Sequence, residues 1–220
     1  GSDTTAVAVA AALNADRCEI IKEVDGVCSA DPHIIPNAKP LRQLDFASLC
    51  EMCFWGAKVL HFRSVELAQS QGVRLVIRKW GGEGETQVEQ EAEMENGKIL
   101  AVNSIHRIEQ LEIDSQNLNG GLGRFAEHIR HHELSWPQII LSSFEAGKTH
   151  IFATADAEAL DALLRTLKGS EELRKQGETL ASVSLTCFGS VSSDLPFRAF
   201  ETLLKHEIVA QKCVLSPYSV

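Results

Sequence analysis

The sequence predicts an α/β layer with a mostly parallel sheet, followed by an α+β region. Helix and strand patterns alternate over the first third of the 220 residues. An acidic, glycine-rich stretch, residues 80–98, then interrupts the alternation, and we interpret it as a solvated linker. Beyond it the patterns run strand, helix, strand, strand, helix, which is the order of the ferredoxin-like unit.

Each element of the first part has a local reason. Ser2 or Asp3 can cap a helix over 5–13, where alanine and leucine favour the helical backbone. A buried strand is predicted over 18–21, and Asp25-Gly26 then indicates a turn because glycine tolerates a positive φ. The elements predicted after this turn are helices 44–53 and 57–71 and strand 73–77.

The second part contains one complete unit and the beginning of another. The complete unit is predicted as strand 99–113, glycine-rich loop 116–124, helix 125–132, strands 138–141 and 150–154 around a turn at 144–148, and helix 155–167. The next unit is predicted as strand 180–187, helix 195–206 and strand 208–215. The chain therefore reads as a repeated β-α-β arrangement whose second copy is incomplete.

Composition narrows the classes of partner. A formal net charge of −9 argues against binding to nucleic acid or to an anionic membrane. No apolar run is long enough to span a bilayer. Six scattered cysteines in mostly apolar surroundings are typical of a reduced, cytoplasmic protein.

Two groups of residues have side chains that can bind metals, but neither has the complete pattern of a metal site. Cys50 and Cys53 form a C-x-x-C pair, but a zinc site usually needs a second pair and the surrounding helix is apolar. His128 and His132 are spaced i, i+4 without a neighbouring carboxylate or cysteine on that face. We interpret the first pair as core packing and the second as an exposed helix end, and we predict no metal site.

Three stretches carry a family resemblance. They read G-S-D-T-T-A at 1–6, K-E-V-D-G-V-C-S-A-D-P-H at 22–33 and G-A-K-V-L-H-F-R-S-V-E at 56–66. In this order they resemble the aspartokinase patterns G-G-S-D-T-[ST]-A, T-D-V-D-G-[VI]-Y-[ST]-x-D-P-R and G-A-K-V-L-H-P-R-[ST]-[VIA]-E. The resemblance is to the C-terminal half of the catalytic domain, in the amino-acid-kinase superfamily. It is close over residues 1–78 and continues in register to the end.

The resemblance implies a domain organisation. Residues 1–79 would be the C-terminal half of an amino-acid-kinase domain, and 80–98 the linker. Residues 99–178 would form a first ACT-like regulatory module and 179–220 a second, truncated one. In this family the modules are intertwined, so strand 99–102 is expected to pair with strand 180–187. The family's N-terminal K-x-G-G-[ST] motif does not occur in this sequence, and we interpret the chain as a fragment of a longer protein.

The resemblance also implies a reaction, the transfer of a phosphoryl group from ATP-Mg²⁺ to the side-chain carboxylate of L-aspartate. This is the first step towards lysine, threonine and methionine. The implied catalytic residues are Ser2 and Asp3. The implied nucleotide-binding residues are Lys22, Glu23, Asp25, Gly26, Cys28, Asp31, Pro32, His33 and Lys58.

Alternatives stay open at these positions. Asp25 and Asp31 also fit a role in shaping turns, and Lys58 also fits a solvated helix face. Several residues depart from the family pattern: Lys22-Glu23 replaces Thr-Asp, Cys28 replaces Tyr, His33 replaces Arg and Phe62 replaces Pro. These departures motivate a rival hypothesis, a degenerate, non-catalytic regulatory or structural protein of the same family.

A regulatory site is the last expectation. The glycine-rich loop could offer open backbone N–H groups to the carboxylate of an amino-acid effector such as lysine or threonine, although a flexible turn fits as well. Pro137 stands where the family has an effector-contacting Asp. The implied effector-binding residues are Asn119, Gly120, Gly121, Leu122, Ser142 and Ser143. ACT modules pair edge to edge, so a homo-oligomer is expected from the resemblance.

Overall fold

The computed structural model describes residues 1–90, 97–168, 170 and 172–220. The chain forms two compact units, one of residues 1–104 with 183–220 and the other of residues 105–182. Over the described ranges, no helix has both the length and the apolar character needed to cross a membrane.

Six helices and eleven strands are described. In chain order they are α1 (Ser2–Ala12), β1 (Arg17–Lys22), β2 (Val27–Cys28), β3 (Pro40–Leu41), β4 (Gln43–Asp45), α2 (Phe46–Phe54), α3 (Phe62–Gln71), β5 (Arg74–Lys79), β6 (Glu85–Glu89), β7 (Ile99–Asp114), α4 (Leu118–His131), β8 (Gln138–Glu145), β9 (Lys148–Thr154), α5 (Ala157–Thr166), β10 (Leu173–Lys175), β11 (Leu180–Cys187) and α6 (Leu195–Lys205).

The first unit is built on a four-stranded sheet in the order β1-β5-β6-β4. β1 and β5 are parallel, as are β4 and β6, whereas β5 and β6 are antiparallel. The fully buried side chains Leu75 and Ile77 of β5 share the core with Leu49 and Met52 of α2. The unit is therefore a mixed α/β layer in which most strand pairs are parallel, as the alternating pattern predicts.

Three boundaries in this unit differ from the prediction. Leu44 belongs to β4, and α2 starts only after Asp45, whose carboxylate caps the helix by accepting from the Ser48 N–H. The helix predicted from residue 57 begins at Phe62, because the ring of His61 caps its first turn. The stretch 80–98 is not only linker, since it contains β6 with Thr86 and Val88 buried. Residues 91–96 of that stretch lie outside the described residues.

The second unit is an antiparallel sheet in the order β10-β7-β9-β8, with α4 and α5. Its core contains Leu111 and Ile113 of β7, Phe125 and Ile129 of α4, and Leu163 of α5. The order strand, helix, strand, strand, helix is the one that the sequence predicted. Strand β10 was not predicted.

The glycine-rich segment 116–124 is helical from Leu118 onwards, so the prediction of a loop was wrong for most of it. Asn117 caps α4, because its side-chain oxygen accepts from the Gly120 N–H at 2.8 Å. Glycine is a poor helix former, but Gly121 faces β9 so closely that a Cβ there would collide with the side chain of Thr149. Close helix–sheet packing therefore accounts for a glycine inside this helix.

Strand β7 pairs with β11, in line with the expected pairing of strand 99–102 with strand 180–187. The assignment of these strands to two exchanged modules stays a prediction. The side-chain amide of Asn103 donates to the Thr186 hydroxyl at 3.3 Å, and the Phe188 N–H donates to the Lys98 carbonyl at 2.9 Å. The strand predicted over 208–215 is absent, since those described residues lie outside any strand. The apolar pattern of this segment was therefore misleading, because it does not reflect burial: Val209 is 85% exposed.

Candidate functional site

The carboxyl ends of β1 and β5 bring together the first predicted site residues. β1 ends at Lys22, which lies in register with Lys79 at the end of β5. The Lys22 ammonium contacts both carboxylate oxygens of Asp3, in the first turn of α1, at 3.2 Å. The side chains of Asp3 and Lys22 are only 20% and 29% exposed. The structure thus joins a predicted catalytic residue to a predicted nucleotide-binding one.

The Asp25-Gly26 turn is held by β6. Gly26 has a φ of 95°, and a Cβ there would collide with the hydroxyl of Thr86. That hydroxyl accepts from the Val27 N–H at 2.8 Å and donates to the Leu41 carbonyl. Glycine is therefore needed both for the backbone conformation and for the close approach.

A second glycine segment packs on the same turn. A Cβ on Gly82 would collide with the Asp25 carboxylate, and one on Gly84 would press on the Asp25 backbone. The segment 81–84, which was interpreted as linker, therefore lies directly against the predicted nucleotide loop. This arrangement was not predicted, because the sequence offers no sign of which turn a glycine-rich segment will contact.

Asp31, His33 and Lys58 share one neighbourhood. The Asp31 carboxylate accepts from the His33 backbone N–H at 2.9 Å and contacts the His33 ring Nδ1 at 3.0 Å. These hydrogen bonds lower the pKa of Asp31, and the positive charge of Lys58 lowers it further. An ionised carboxylate beside a lysine is thus kept at an exposed position.

The remaining residues of the predicted nucleotide loop are less constrained. Ser2, Glu23 and Pro32 are exposed. Cys28 is half-buried in β2, and burial raises the pKa of its thiol, with a further contribution from the Asp25 charge. Because the thiolate is the reactive form, Cys28 does not resemble a nucleophile.

The cysteine pair of α2 packs against the core of the first unit. Burial raises the pKa of Cys50 to about 11 and that of Cys53 to about 12. The contact of both side chains with the core agrees with the packing interpretation. Among the residues that the structure describes, no group of three or more His, Cys, Asp or Glu side chains could hold a metal ion.

The predicted effector residues lie in a helix and a strand, and they do not form the open loop that was predicted. Asn119, Gly120, Gly121 and Leu122 lie in α4. The N–H groups of Gly120 and Gly121, expected to be open, are bonded to the side chain and the carbonyl of Asn117. Ser142 and Ser143 lie on β8, paired in register with Ile151 and His150 of β9.

The histidine rings near the end of α4 contact one another at an angle, tilted by 51° between His128 and His132 and edge-on between His131 and His132. The ring centroids of His128 and His132 are 4.5 Å apart, and the His128 Nε2 lies 2.8 Å from the Thr166 hydroxyl. Burial lowers the pKa of His128, and the two neighbouring histidines lower it further.

Parts of this chain are similar in sequence to known proteins. The profile of the amino acid kinase family matches residues 1–79. The chain is 30% identical over 214 residues to the aspartokinase of Bacillus sp. (strain MGA3), which covers 92% of this chain and 52% of that protein. It is 56% identical over 78 residues to the aspartokinase of Corynebacterium glutamicum, which covers 36% of this chain and 18% of that protein.

The fold has a close counterpart among solved structures. Aspartokinase III of E. coli, in complex with aspartate and ADP, aligns with a TM-score of 0.73 at 22% identity. The alignment covers 100% of this chain and 51% of that one. At this identity the likeness shows the fold alone. The chain spans about half, or less, of the length of the relatives that it matches.

Proposed function

Because this chain belongs to the aspartokinase family, we propose that it supplies the nucleotide-binding part of an aspartate kinase. The proposed reaction transfers a phosphoryl group from ATP to the side-chain carboxylate of L-aspartate. The contact between Asp3 and Lys22 carries the proposal, because it lies at the carboxyl ends of two parallel strands, where open α/β sheets bind their ligands.

The chemistry of this edge suits phosphoryl transfer, which depends on positioning and on neutralising charge. Asp3 holds the Lys22 ammonium in place, and Lys58 lies near enough to Asp31 to lower its pKa. Asp25 shapes the loop between them through its contact with Gly82. Lys22, held by Asp3, and the exposed Lys58 are therefore the two cations that we propose for the phosphate groups.

ATP would bring Mg²⁺ with it. The residues present fit a site in which the ion is bound partly by protein carboxylates and partly by the phosphates of ATP. Mg²⁺ usually binds one or two carboxylates together with substrate phosphates and water. Asp25 and Asp31 are carboxylates of the required kind in the candidate loop. When bound, the ion neutralises charge on the phosphates; within the described part of the chain it would need those phosphates as ligands.

We further propose that the regions 99–178 and 179–220 are ACT-like modules that bind an amino-acid effector and pair with a second copy of the chain. The strand order of the second unit and the pairing of β7 with β11 support this reading. Lysine and threonine are the effectors that the family resemblance suggests. A cytoplasmic location, also taken from the resemblance and the cysteine usage, stays a prediction.

The kinase proposal is tested with the full-length protein that contains this chain. ATP-dependent formation of aspartyl phosphate is trapped with hydroxylamine and compared with Asp3→Asn and with the control Asp16→Asn, an exposed carboxylate before β1. We expect robust turnover that falls about a hundredfold in Asp3→Asn, since misplacing a catalytic cation has effects of this size. ATP binding without any turnover would instead favour the non-catalytic regulatory protein.

The effector proposal has its own experiment. Isothermal titration of this chain with lysine and then with threonine, at fixed salt, measures binding without any need for catalysis. Heat from one of them that disappears in Ser143→Ala or in Asn119→Ala would support an amino-acid site on the second unit. The absence of binding by either amino acid would contradict it.

A further inference from the structure

Two lysines stand in register at the carboxyl ends of the parallel strands β1 and β5. Lys22 and Lys79 are paired positions in this ladder. Both point to the same face as the buried Ile20 and Ile77, because side chains two residues apart on a strand share a face. Like charges on neighbouring strand positions repel each other, so this edge of the sheet carries an electrostatic cost.

The amino ends of the same two strands show how the chain neutralises such a pair. Arg17 and Arg74 are also in register. Arg17 forms an ion pair with Glu19 at 2.6 Å, and Arg74 forms one with Glu89 at 3.7 Å. Each arginine therefore has an acidic partner, although Glu19 also pairs with Arg78 at 3.1 Å.

The carboxyl ends are only half neutralised. Asp3 contacts Lys22, but within the residues that the structure describes Lys79 makes no ion pair. The Asp25 carboxylate lies close by, since a Cβ placed on Gly82 would meet both this carboxylate and the Lys79 Cβ. Because the two side chains form no ion pair, the Lys79 ammonium can still bind an anion from outside the chain.

The backbone after Lys79 leaves room for such an anion. The Gly82 N–H donates to the Lys79 carbonyl at 3.2 Å, which closes a turn through Trp80 and Gly81. Trp80 is 80% exposed, and a Cβ placed on Gly81 would meet no described atom within 4 Å. A ligand can therefore approach this turn without displacing a side chain.

We infer that Lys79 is a phosphate-binding residue, which with Lys22 forms a cation pair for the phosphate chain of a nucleoside triphosphate. The inference rests on the proposed nucleotide site and adds a residue to it. The aspartokinase pattern quoted above has arginine where this sequence has His33, so Lys79 would restore a positive charge to the proposed site. Two neighbouring positive charges favour a polyphosphate over an uncharged nucleoside.

The test compares the binding of ATP-Mg²⁺ with that of adenosine by isothermal titration of the full-length protein. Charged hydrogen bonds contribute about 1.5–3 kcal/mol, so we expect Lys79→Met to weaken ATP binding about tenfold to a hundredfold. Adenosine binding should not change. Lys79→Arg should restore most of the affinity for ATP, and Arg74→Met, about 16 Å away at the other end of β5, should leave it intact.

Trp80 offers a second readout. Its fluorescence should change on addition of ATP, and the change should vanish in Trp80→Phe and shrink in Lys79→Met at the same ATP concentration. If Lys79→Met binds ATP as the parent protein does, or weakens ATP and adenosine equally, the inference is overturned while the proposed function stands. If the parent protein binds no ATP, both are overturned.

Discussion

A single oxygen of Glu51 accepts three hydrogen bonds. The donors are the hydroxyls of Ser216 and Ser219, each at 2.5 Å, and the indole N–H of Trp55 at 2.9 Å. Ser219 is fully buried. The carboxylate therefore ties the segment 216–219 to helix α2.

Replacing Glu51 with leucine should destabilise the protein, because its three donors would lose their acceptor. The cost of removing those donors from water would then no longer be offset by a hydrogen bond. With three donors affected, we expect Glu51→Leu to reduce the free energy of unfolding by about 2–4 kcal/mol. Urea denaturation followed by tryptophan fluorescence measures this loss. Glu66→Leu, an exposed position on α3, is the control and should cost less than about 0.5 kcal/mol. Similar losses for the two variants would contradict the role of the three bonds.

Glu112 is almost fully buried on β7. Its protonation in acid should therefore change the free energy of unfolding of the protein. A hydrogen bond from Lys148 lowers the pKa of Glu112, and one from Arg174 adds to this effect against the opposing effect of burial. Its stabilisation is complete above the unfolded pKa of about 4.3. It is lost as the pH falls through the lower pKa of the folded state.

We therefore expect Glu112→Gln to be less stable than the parent protein at pH 7 by roughly 1–3 kcal/mol. The gap should begin to close as the pH falls below the unfolded pKa of about 4.3, and it should vanish as the pH falls through the lower pKa of the folded state, because the parent protein then loses the same charge. Urea midpoints measured across this range provide the test. Glu127→Gln, at an exposed position of α4, should give a parallel curve, and a pH-independent gap for Glu112→Gln would refute the explanation.

At the scale of elements, two glycines of α4 should respond in opposite directions. Gly121→Ala forces a Cβ into Thr149, whereas the added Cβ of Gly123→Ala meets no described atom within 4 Å. Alanine stabilises a helix interior by about 0.5–1 kcal/mol relative to glycine. Thermal unfolding should show a raised Tm for Gly123→Ala and a clearly lowered one for Gly121→Ala. If both raise it, α4 does not pack on β9 as described.

The same helix shows where reasoning from sequence reaches its limit. The hydrophobic pattern predicted the second half of α4, around Phe125 and Ile129, because those side chains face the core. It missed the first half, since the glycines there favour a loop locally and only the contact with Thr149 explains a helix. Strand β6 was missed for a related reason: its acidic, glycine-flanked sequence becomes a strand through pairing with β4 and β5.

At the scale of the whole molecule, the residues that the structure describes form two hydrophobic cores. Leu75 is fully buried in one and Phe125 almost fully buried in the other. We expect Phe125→Ala to destabilise its unit by about 3–5 kcal/mol. Amide hydrogen exchange should then rise over 105–182 and stay unchanged in β5. Leu75→Ala should do the reverse, and a uniform rise in either variant would indicate a single cooperative unit.

The candidate site was predictable in part. The motif resemblance selected Asp3, Lys22 and Asp31, and the structure brings the first two into contact. Lys79 was not selected, because its proposed role depends on its register with Lys22, which lies 57 positions earlier in the chain (79 − 22) on another strand. The link of Glu51 to Ser216 spans 165 positions and has no local pattern either.

Strand β7 supplies residues to both cores, Leu100 and Ala101 to one and Leu111 and Ile113 to the other. In a strand, removing one residue turns every later side chain to the opposite face. A single-codon deletion between Asn103 and Glu109 would therefore direct Leu111 and Ile113 away from their core, whereas a substitution there alters one side chain. During the evolution of this gene, insertions and deletions in that stretch should therefore be tolerated less often than substitutions.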